Sequence, residues 1–562
     1  MNEVIRDHLM ALYGEALGAT TFERLAAVLT PLVENAVYFP YYFQDDSWHE
    51  RSVLITYGDQ LRAADQPPLR TLAEFCDTHL RSVVDDIHLL PFSPYSSDDG
   101  FSVIDYKQVN PALGTWDDVA RVGQNFHLMF DGVINHISAQ SAWFKAFLQD
   151  DPKYRDYFIV VEGEPDLSQV VRPRTLPLLT EFTTPSGLKK VWTTFSADQI
   201  DLNYANPEVL LDIIDVLLFY VAQGAELIRL DAIAYLWKEI GTSCIHLPQT
   251  HRVIQLLGEV LSEVAPHVIL ITETNVAHHD NITYFGNGYN EAQLVYNFAL
   301  PPLTLHTFRT GDASALTRWA AGLTTPSSET AFFNFLASHD GIGLNPARGI
   351  LRDDEIDALV QQVTVHGGRV SYKSNPDGST TPYELNINYF DALSDPNGDE
   401  PLSLQIDRFV AAHAIMFSLA GVPGIYFHSL FGSRGWPEGV TQWGYNRAIN
   451  RQKFDRAEVE RDLSDPQTRR SQVLNRLKRL LVIRYAAFVF DPRSEQRVLA
   501  LAAQVFAVER GRRVLCLHNV SGHPQSVLLD PKWQHARDLL SDRSIEIDLT
   551  LQPYEVVWLQ HE

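Results

Sequence analysis

Eight short apolar runs, at 53–57, 86–92, 126–135, 226–233, 268–274, 293–300, 332–337 and 422–427, constrain this chain more than any other feature. Most are followed by segments whose apolar residues recur at helical spacing. Several are nearly continuous in apolar side chains, as strands buried on both faces are. Strands alternating with helices predict a parallel sheet, and eight of them predict a closed (β/α)₈ barrel. Such a barrel carries its site at the carboxyl ends of its strands. Polar residues close four of these runs there: Asn135-His136, Arg229 with Asp231, Glu273, and His339-Asp340. Unrelated ion pairs have no reason to fall at the same end of successive strands.

The remaining chain divides around the barrel, which is expected over 51–137 and 205–489. Residues 1–50 read as a helical extension, with Leu9, Leu12 and Leu17, then Leu25, Val28, Leu29, Leu32 and Val33 at helical spacing. Residues 138–204, rich in proline and charge, are expected as an inserted domain after the third strand. Residues 341–399, with turn signals at Asn375-Pro-Asp-Gly378 and Asp395-Pro-Asn-Gly398, are expected as a second inserted lobe after the seventh. Alternating patterns around Arg510-Gly-Arg predict an antiparallel β-domain over 490–562.

Composition excludes several function classes. A formal charge of −25 over 562 residues leaves no basic face for nucleic acid or an anionic membrane. An anionic substrate would need a local group of arginines. Three well-separated cysteines, Cys76, Cys244 and Cys516, predict reduced thiols in a cytoplasm rather than a disulfide framework. No secretion signal is read at the N-terminus, and no stretch approaches the roughly 18 unbroken apolar residues a membrane span requires. No glycine-rich nucleotide loop follows a strand, so no cofactor is expected. No metal site is expected either, and His278-His279-Asp280 reads as a solvated loop.

On a strand, Arg229 and Asp231 share a face. A guanidinium there keeps the carboxylate ionised and oriented, which serves a structural ion pair and a glycosidic nucleophile equally. The four motifs Asp131-Gly-Val-Ile-Asn135-His136, Arg229-Leu-Asp231, Ile271-Thr-Glu273 and Leu336-Ala-Ser-His339-Asp340 resemble, in order and approximate spacing, those of glycoside hydrolase family 13, the α-amylase family. The resemblance covers roughly residues 50–562. It implies Asp231 as nucleophile, Glu273 as general acid and base, and Asp340 as the holder of the sugar's ring hydroxyls, with Arg229, His136 and His339 positioning them. Nucleophile and acid must differ in protonation at one pH. Arg229 is expected to pull Asp231 down, and repulsion from Asp231 and Asp340 to push Glu273 up. A retaining pair stands about 5–5.5 Å apart.

The runs Leu89-Leu-Pro-Phe-Ser-Pro-Tyr, Asp98-Asp-Gly-Phe101, Gly241-Thr-Ser-Cys244 and Tyr445-Asn-Arg447-Ala-Ile-Asn-Arg451 resemble the sucrose phosphorylase subfamily. That likeness implies Asp98 and Arg447 on glucose hydroxyls, Phe101 stacked on the ring, and Arg174 and Tyr383 on phosphate. Without that likeness, Arg172 and Arg174 read as solvated surface charges of the insertion. The N-terminal extension, Asn275 after Glu273, the run from His246, and Glu384 where the sucrose enzymes carry glutamine look more like the glucosylglycerate phosphorylase branch. The implied reaction is reversible phosphorolysis of a glucosylglycerate, with Asn275, His246, Lys238 and Glu384 as candidates for the acceptor side, although His246 and Lys238 read equally as packing residues behind it. Sucrose, sucrose 6′-phosphate and glucosylglycerol phosphorylases, or a hydrolase, are the alternatives. The expected partners are a glucoside, inorganic phosphate and glycerate; a homodimer is left open. A catalytically dead barrel is disfavoured because all three carboxylates are present.

Overall fold

The computed structural model describes residues 2–34, 51–375 and 378–561. Eight strands form a closed parallel barrel: β1 (Val53–Thr56), β2 (Asp86–Leu89), β3 (His127–Gly132), β4 (Ala225–Leu230), β5 (Ile269–Thr272), β6 (Leu294–Tyr296), β7 (Ala331–Phe335) and β8 (Val422–Tyr426). Sequential strands are neighbours, and β8 closes the ring on β1. Each of the eight apolar runs coincides with one of them, β4 and β7 each starting one residue earlier, at Ala225 and Ala331. The runs overshoot the ladders because burial continues past the last hydrogen bond. Val133, Ile134 and Ile233 lie beyond the ends of β3 and β4 yet remain buried. Hydrophobicity reports burial, whereas the strand ends where pairing ends.

Between β3 and β4, Val160–Val161, Leu179–Thr184 and Gly187–Trp192 form a small antiparallel sheet over its own apolar cluster of Val161, Val170, Leu178, Trp192 and Cys244. After β7, Ile342–Gly343, Arg369–Ser374 and Thr380–Asn386 form a second one, beside the helix Asp353–Val365. Pro376 and Asp377 of the expected turn lie outside the described residues. At the C-terminus, Gln496–Ala502, Val505–Arg510, Val514–Asn519 and Val556–Gln560 pair antiparallel, with Arg537–Asp538 at the edge.

The N-terminal extension is a helical hairpin, α1 (Glu3–Tyr13) and α2 (Glu15–Glu34); the expected helical reading of 35–50 lies outside the described residues. Gly14, at φ 80°, makes the turn. Gly18 lets the helices touch, since a Cβ there would meet the Leu9 carbonyl oxygen at 2.7 Å. Asn2 donates to Glu259 at 3.0 Å and Tyr13 donates to the Tyr204 carbonyl at 3.0 Å, tying the hairpin to the barrel. Leu9, Leu25 and Leu29 are buried, whereas Leu17, Val28 and Val33 face solvent. The helical spacing therefore holds two faces, and only one packs. Leu29→Ala should cost the docked hairpin about 2–5 kcal/mol. The expected readout is faster amide exchange in α1 and α2 with protection of β1–β8 unchanged.

Candidate active site

The register of three adjacent strands assembles the site. Arg229 on β4 lies opposite Asp131 on β3, and Leu230 lies opposite Thr272 on β5. Asp231 and Glu273 thus leave neighbouring strands at one level, and the Glu273 amide donates to the Leu230 carbonyl at 3.1 Å. Asp231 is followed by Ala232 in the left-handed region at φ 49°, a conformation that costs an alanine about 1 kcal/mol or more. This turn aims the Ala232 amide at Glu273 Oε2, 2.9 Å away.

Arg229 is the hub. It is 1 % exposed. Its Nη1 donates to Asp231 Oδ1 at 2.8 Å and to Asp131, and its Nη2 stands 3.8 Å from Glu273 Oε2. Asp131 is held in turn by His88 Nε2 at 2.6 Å. Phe101 and Tyr296 cover the guanidinium, with ring centroids at 5.7 and 5.4 Å.

A second charged group faces this one. Asp340 follows β7 and pairs with Arg447 Nη1, while Arg447 Nε and Nη2 fork onto both oxygens of Glu384, at 3.0 and 2.7 Å. Arg451, fully buried, lies 3.7 Å from both Asp98 and Asp340. His339 stacks on Phe101 with centroids 4.7 Å apart, and its Nε2 is 3.5 Å from Asp340. His136 Nε2 contacts the Phe101 carbonyl at 2.9 Å.

A cavity of about 660 Å³ opens between these groups. All the expected site residues line it except Arg229, His246, Lys238 and Glu384. Arg229 lies beneath, supporting Asp231. The other three were expected on the acceptor side and are spoken for elsewhere. Lys238, 2 % exposed in its side chain, is ion-paired with Asp201 and donates to Asn135 Oδ1 at 2.9 Å. His246 contacts the Tyr284 hydroxyl at 2.8 Å. Glu384 is fully buried behind Arg447. Arg174, from the first insertion, reaches the cavity and, among the described residues, forms no ion pair. Its side chain is half-buried at the cavity wall.

Tyr383 reaches the cavity through a β-bulge. Ser371 opposes Glu384 and Tyr372 opposes Pro382, leaving Tyr383 as the extra residue. The bulge re-aims consecutive side chains, Tyr383 into the cavity and Glu384 onto Arg447. Asp131, His88, Arg451, Gln199 and Tyr235 complete the site without having been singled out. Asp131 and Arg451 already stand within the quoted motifs, and His88 is a polar residue flanked by Ile87 and Leu89 in an apolar run. Gln199 and Tyr235 have no such signal, because only the fold brings them in. His278 is half-buried in a helical turn against Phe332, so only His279 of that pair fits the expected solvated loop. Among the described residues, no group of three or more His, Cys, Asp or Glu is placed to hold a metal ion.

The carboxyls are electrostatically distinct. Burial, more than the repulsion expected from Asp231 and Asp340, pushes Glu273 up to about 7, against Arg229 and the Ala232 amide. Burial also moves Asp231 above the ordinary carboxylate value, so the downward pull of Arg229 is real but outweighed. For Asp340 burial is overcome by Arg447, His339 and Arg451, which hold it well below that value. Burial keeps His339 neutral.

Comparison with known proteins places this geometry. Residues 82–342 match the family model of the α-amylase catalytic domain, and 495–559 match that of the C-terminal immunoglobulin-like domain of D-apionate lactonase. The chain is 52% identical over 569 residues to a glucosylglycerate phosphorylase of Allomeiothermus silvanus, covering 100% of this chain and 98% of that one. The chain belongs to the α-amylase family. Within it, a glucosylglycerate phosphorylase of Escherichia coli (strain K12) is 47% identical over 568 residues, covering 100% of both chains. The crystal structure of sucrose 6F-phosphate phosphorylase from Thermoanaerobacter thermosaccharolyticum shares the fold, with a TM-score of 0.74 at 24% identity over 89% of this chain and 99% of that one.

Lys238→Ala strands the Asp201 carboxylate in the interior and should cost about 3–5 kcal/mol, read as a lowered melting temperature. The double replacement Lys238→Met with Asp201→Leu should recover part of that loss. An undiminished melting temperature in the single variant would remove the structural account of Lys238.

Proposed function

We propose that the chain is a retaining α-glucosyl phosphorylase that converts 2-O-α-D-glucosylglycerate and phosphate reversibly into α-D-glucose 1-phosphate and D-glycerate. The observation that carries the chemistry is the pair of buried carboxyls, Asp231 and Glu273, which leave neighbouring strands at one level beside one guanidinium. Full-length similarity to enzymes of that name supports the acceptor.

In the first half-reaction Asp231 attacks C1, the bond from C1 to the glycerate oxygen breaks, and the Glu273 proton goes to that oxygen. In the second, a phosphate oxygen attacks C1, the ester to Asp231 breaks, and the proton of the attacking oxygen passes to Glu273. Two inversions retain the α configuration. Asp340 and Asp98 accept hydrogen bonds from the glucose hydroxyls, with Arg447 and Arg451 holding them. Phe101 and His339 pack as a flat wall for the ring, and His136 meets its hydroxyls. Arg174 and Tyr383 line the acceptor side with Asn275, whose Oδ1 is buried without a hydrogen bond. Three buried free thiols suit a reducing, cytoplasmic setting.

Incubation with the glucosyl donor and millimolar phosphate should yield glucose 1-phosphate; predominant free glucose would overturn the phosphorylase reading. In the reverse direction, phosphate release from glucose 1-phosphate should be strong with D-glycerate and weak with fructose. Asp231→Asn should lose essentially all turnover.

The pH dependence follows from the two carboxyls. Glu273 must start protonated and Asp231 ionised, so kcat/KM should fall above about 7 as Glu273 loses its proton. It should also fall on the acid side as Asp231 gains one. With a donor whose leaving group needs no proton, such as α-glucosyl fluoride, Glu273→Gln should lack the alkaline fall. A fall that persists in that variant assigns the proton to another group.

A further inference from the structure

Three successive residues beside the cavity hold positive φ: Asp98 at 52°, Asp99 at 50° and Gly100 at 114°. The glycine takes such a conformation freely, but an aspartate persists there where its surroundings fix it. The two carboxylates part at this turn. Asp98 lines the cavity, whereas Asp99 lies behind its lining and is 11 % exposed in its side chain. There Asp99 Oδ2 accepts from Lys453 Nζ at 3.5 Å and stands 4.0 Å from Arg451 Nη1. The Tyr95 hydroxyl donates to Asp99 Oδ1 at 3.4 Å.

Lys453 is itself held from several directions. Its side chain is 7 % exposed, and its Nζ lies 2.8 Å from Asp59 Oδ1 and 3.7 Å from the centroid of the Tyr57 ring. A cation between two carboxylates and over an aromatic face is attracted by all three. Its backbone is fixed as well. The Phe454 amide donates to the Gln60 carbonyl at 3.0 Å, and Gln60 Nε2 donates to the Gln452 carbonyl at 2.6 Å. Tyr57, Asp59 and Gln60 directly follow β1, so the end of that strand carries Lys453, and Lys453 carries Asp99.

The flanks of the turn are clamped separately. The Ser96, Ser97 and Ser102 hydroxyls donate to Asp198, and a Cβ at Gly100 would meet the Pro91 carbonyl oxygen at 2.6 Å. Release of Asp99 therefore leaves the Asp98–Asp99 pair as the place where the turn relaxes toward negative φ. That rotation takes the Asp98 carboxylate with it. We infer that Lys453 is a positioning residue of the sugar site: by holding Asp99 on the end of β1 it keeps the turn left-handed and Asp98 aimed into the cavity. The inference rests on the phosphorylase reading above, in which Asp98 accepts from a glucose hydroxyl, and adds the residue that holds it. One segment then sets both carboxylates that grip the sugar, with Arg447 on Asp340, Arg451 between Asp340 and Asp98, and Lys453 on Asp99.

The test compares Lys453→Met, which keeps the side chain's length, and Lys453→Arg with the wild-type chain. The donors are 2-O-α-D-glucosylglycerate, α-D-glucose 1-phosphate and α-glucosyl fluoride, which share the glucosyl group and differ in what leaves. In Lys453→Met, kcat/KM should fall for all three by a common factor of about ten or more, the scale of a lost charge-assisted hydrogen bond. Lys453→Arg should restore part of it. In an Asp98→Ala background the same Lys453→Met replacement should cost less than about twofold, because a residue acting through Asp98 has nothing left to position. Unchanged kinetics in Lys453→Met, a loss confined to one leaving group, or the full loss in the Asp98→Ala background overturns the assignment. Should Lys453→Met not fold, Asp99→Asn decides, since asparagine also tolerates the left-handed region and removes the charge that Lys453 holds. It should lose kcat/KM for all three donors, and again lose little more once Asp98 is alanine; unchanged kinetics overturns the proposal. A wild-type chain that cleaves none of the donors removes the phosphorylase reading instead, which is a distinct result.

Discussion

A single guanidinium at the carboxyl end of β4 sets the terms for the rest of the site. Arg229 is removed from water, and an uncompensated buried charge costs several kcal/mol, so its neighbours must be anionic and close. Asp131, Asp231 and Glu273 meet that demand from three adjacent strands. Barrel closure is what makes this possible, because only parallel strands in fixed register bring three chain segments to one level. The cost is a set of carboxyls removed from water and close to one another: burial, with repulsion added, pushes Glu273 up to about 7, so it can hold a proton where Asp340 cannot. The need to neutralise a buried cation and the need for two unlike carboxyls in the proposed mechanism are thus met by one arrangement.

The second charged group follows the same logic at the other side of the cavity. Arg447 and Arg451 together face Asp340, Asp98 and Glu384. Glu384 arrives on the strand that also carries Tyr383, so the inserted lobe after β7 is fastened to the barrel by the same pair that orders the site. Gly341, directly after Asp340, makes room for this. A Cβ there would lie 2.5 Å from the Leu385 carbonyl oxygen and 2.6 Å from Glu384 Cγ. The small residue after Asp340 is required by the closeness of the lobe.

Much of this is legible in the sequence, and the parts that are not share a cause. Eight apolar runs report eight barrel strands because burial on both faces leaves an uninterrupted hydrophobic signature. Their polar ends report the site because a barrel gathers all its strand ends at one rim. Strand limits are blurred, since Val133 and Ile233 stay apolar beyond the ladder. The sequence also shows which residues are chemically able to bind an anion, but not which remain free to do so. Lys238, His246 and Glu384 are suitable donors or acceptors by type, and each is engaged by a partner distant in sequence: Asp201, Tyr284 and Arg447. Arg451 and Asp131 sit inside recognisable motifs, but their importance shows only once register places them against Asp98 and Arg229.

That distinction bears on how an acidic protein would handle the anions of the proposed reaction. The formal charge of −25 gives no long-range attraction for phosphate or a carboxylate, and at physiological ionic strength the opposing field is screened over about 8 Å. Selection must then happen at contact. Inside the cavity nearly every cation is committed to a carboxylate, which keeps Asp231, Glu273 and Asp340 oriented and leaves an anion few places to sit. In the proposed reaction Arg174, without a carboxylate partner among the described residues, would place such an anion by a single charge-assisted contact.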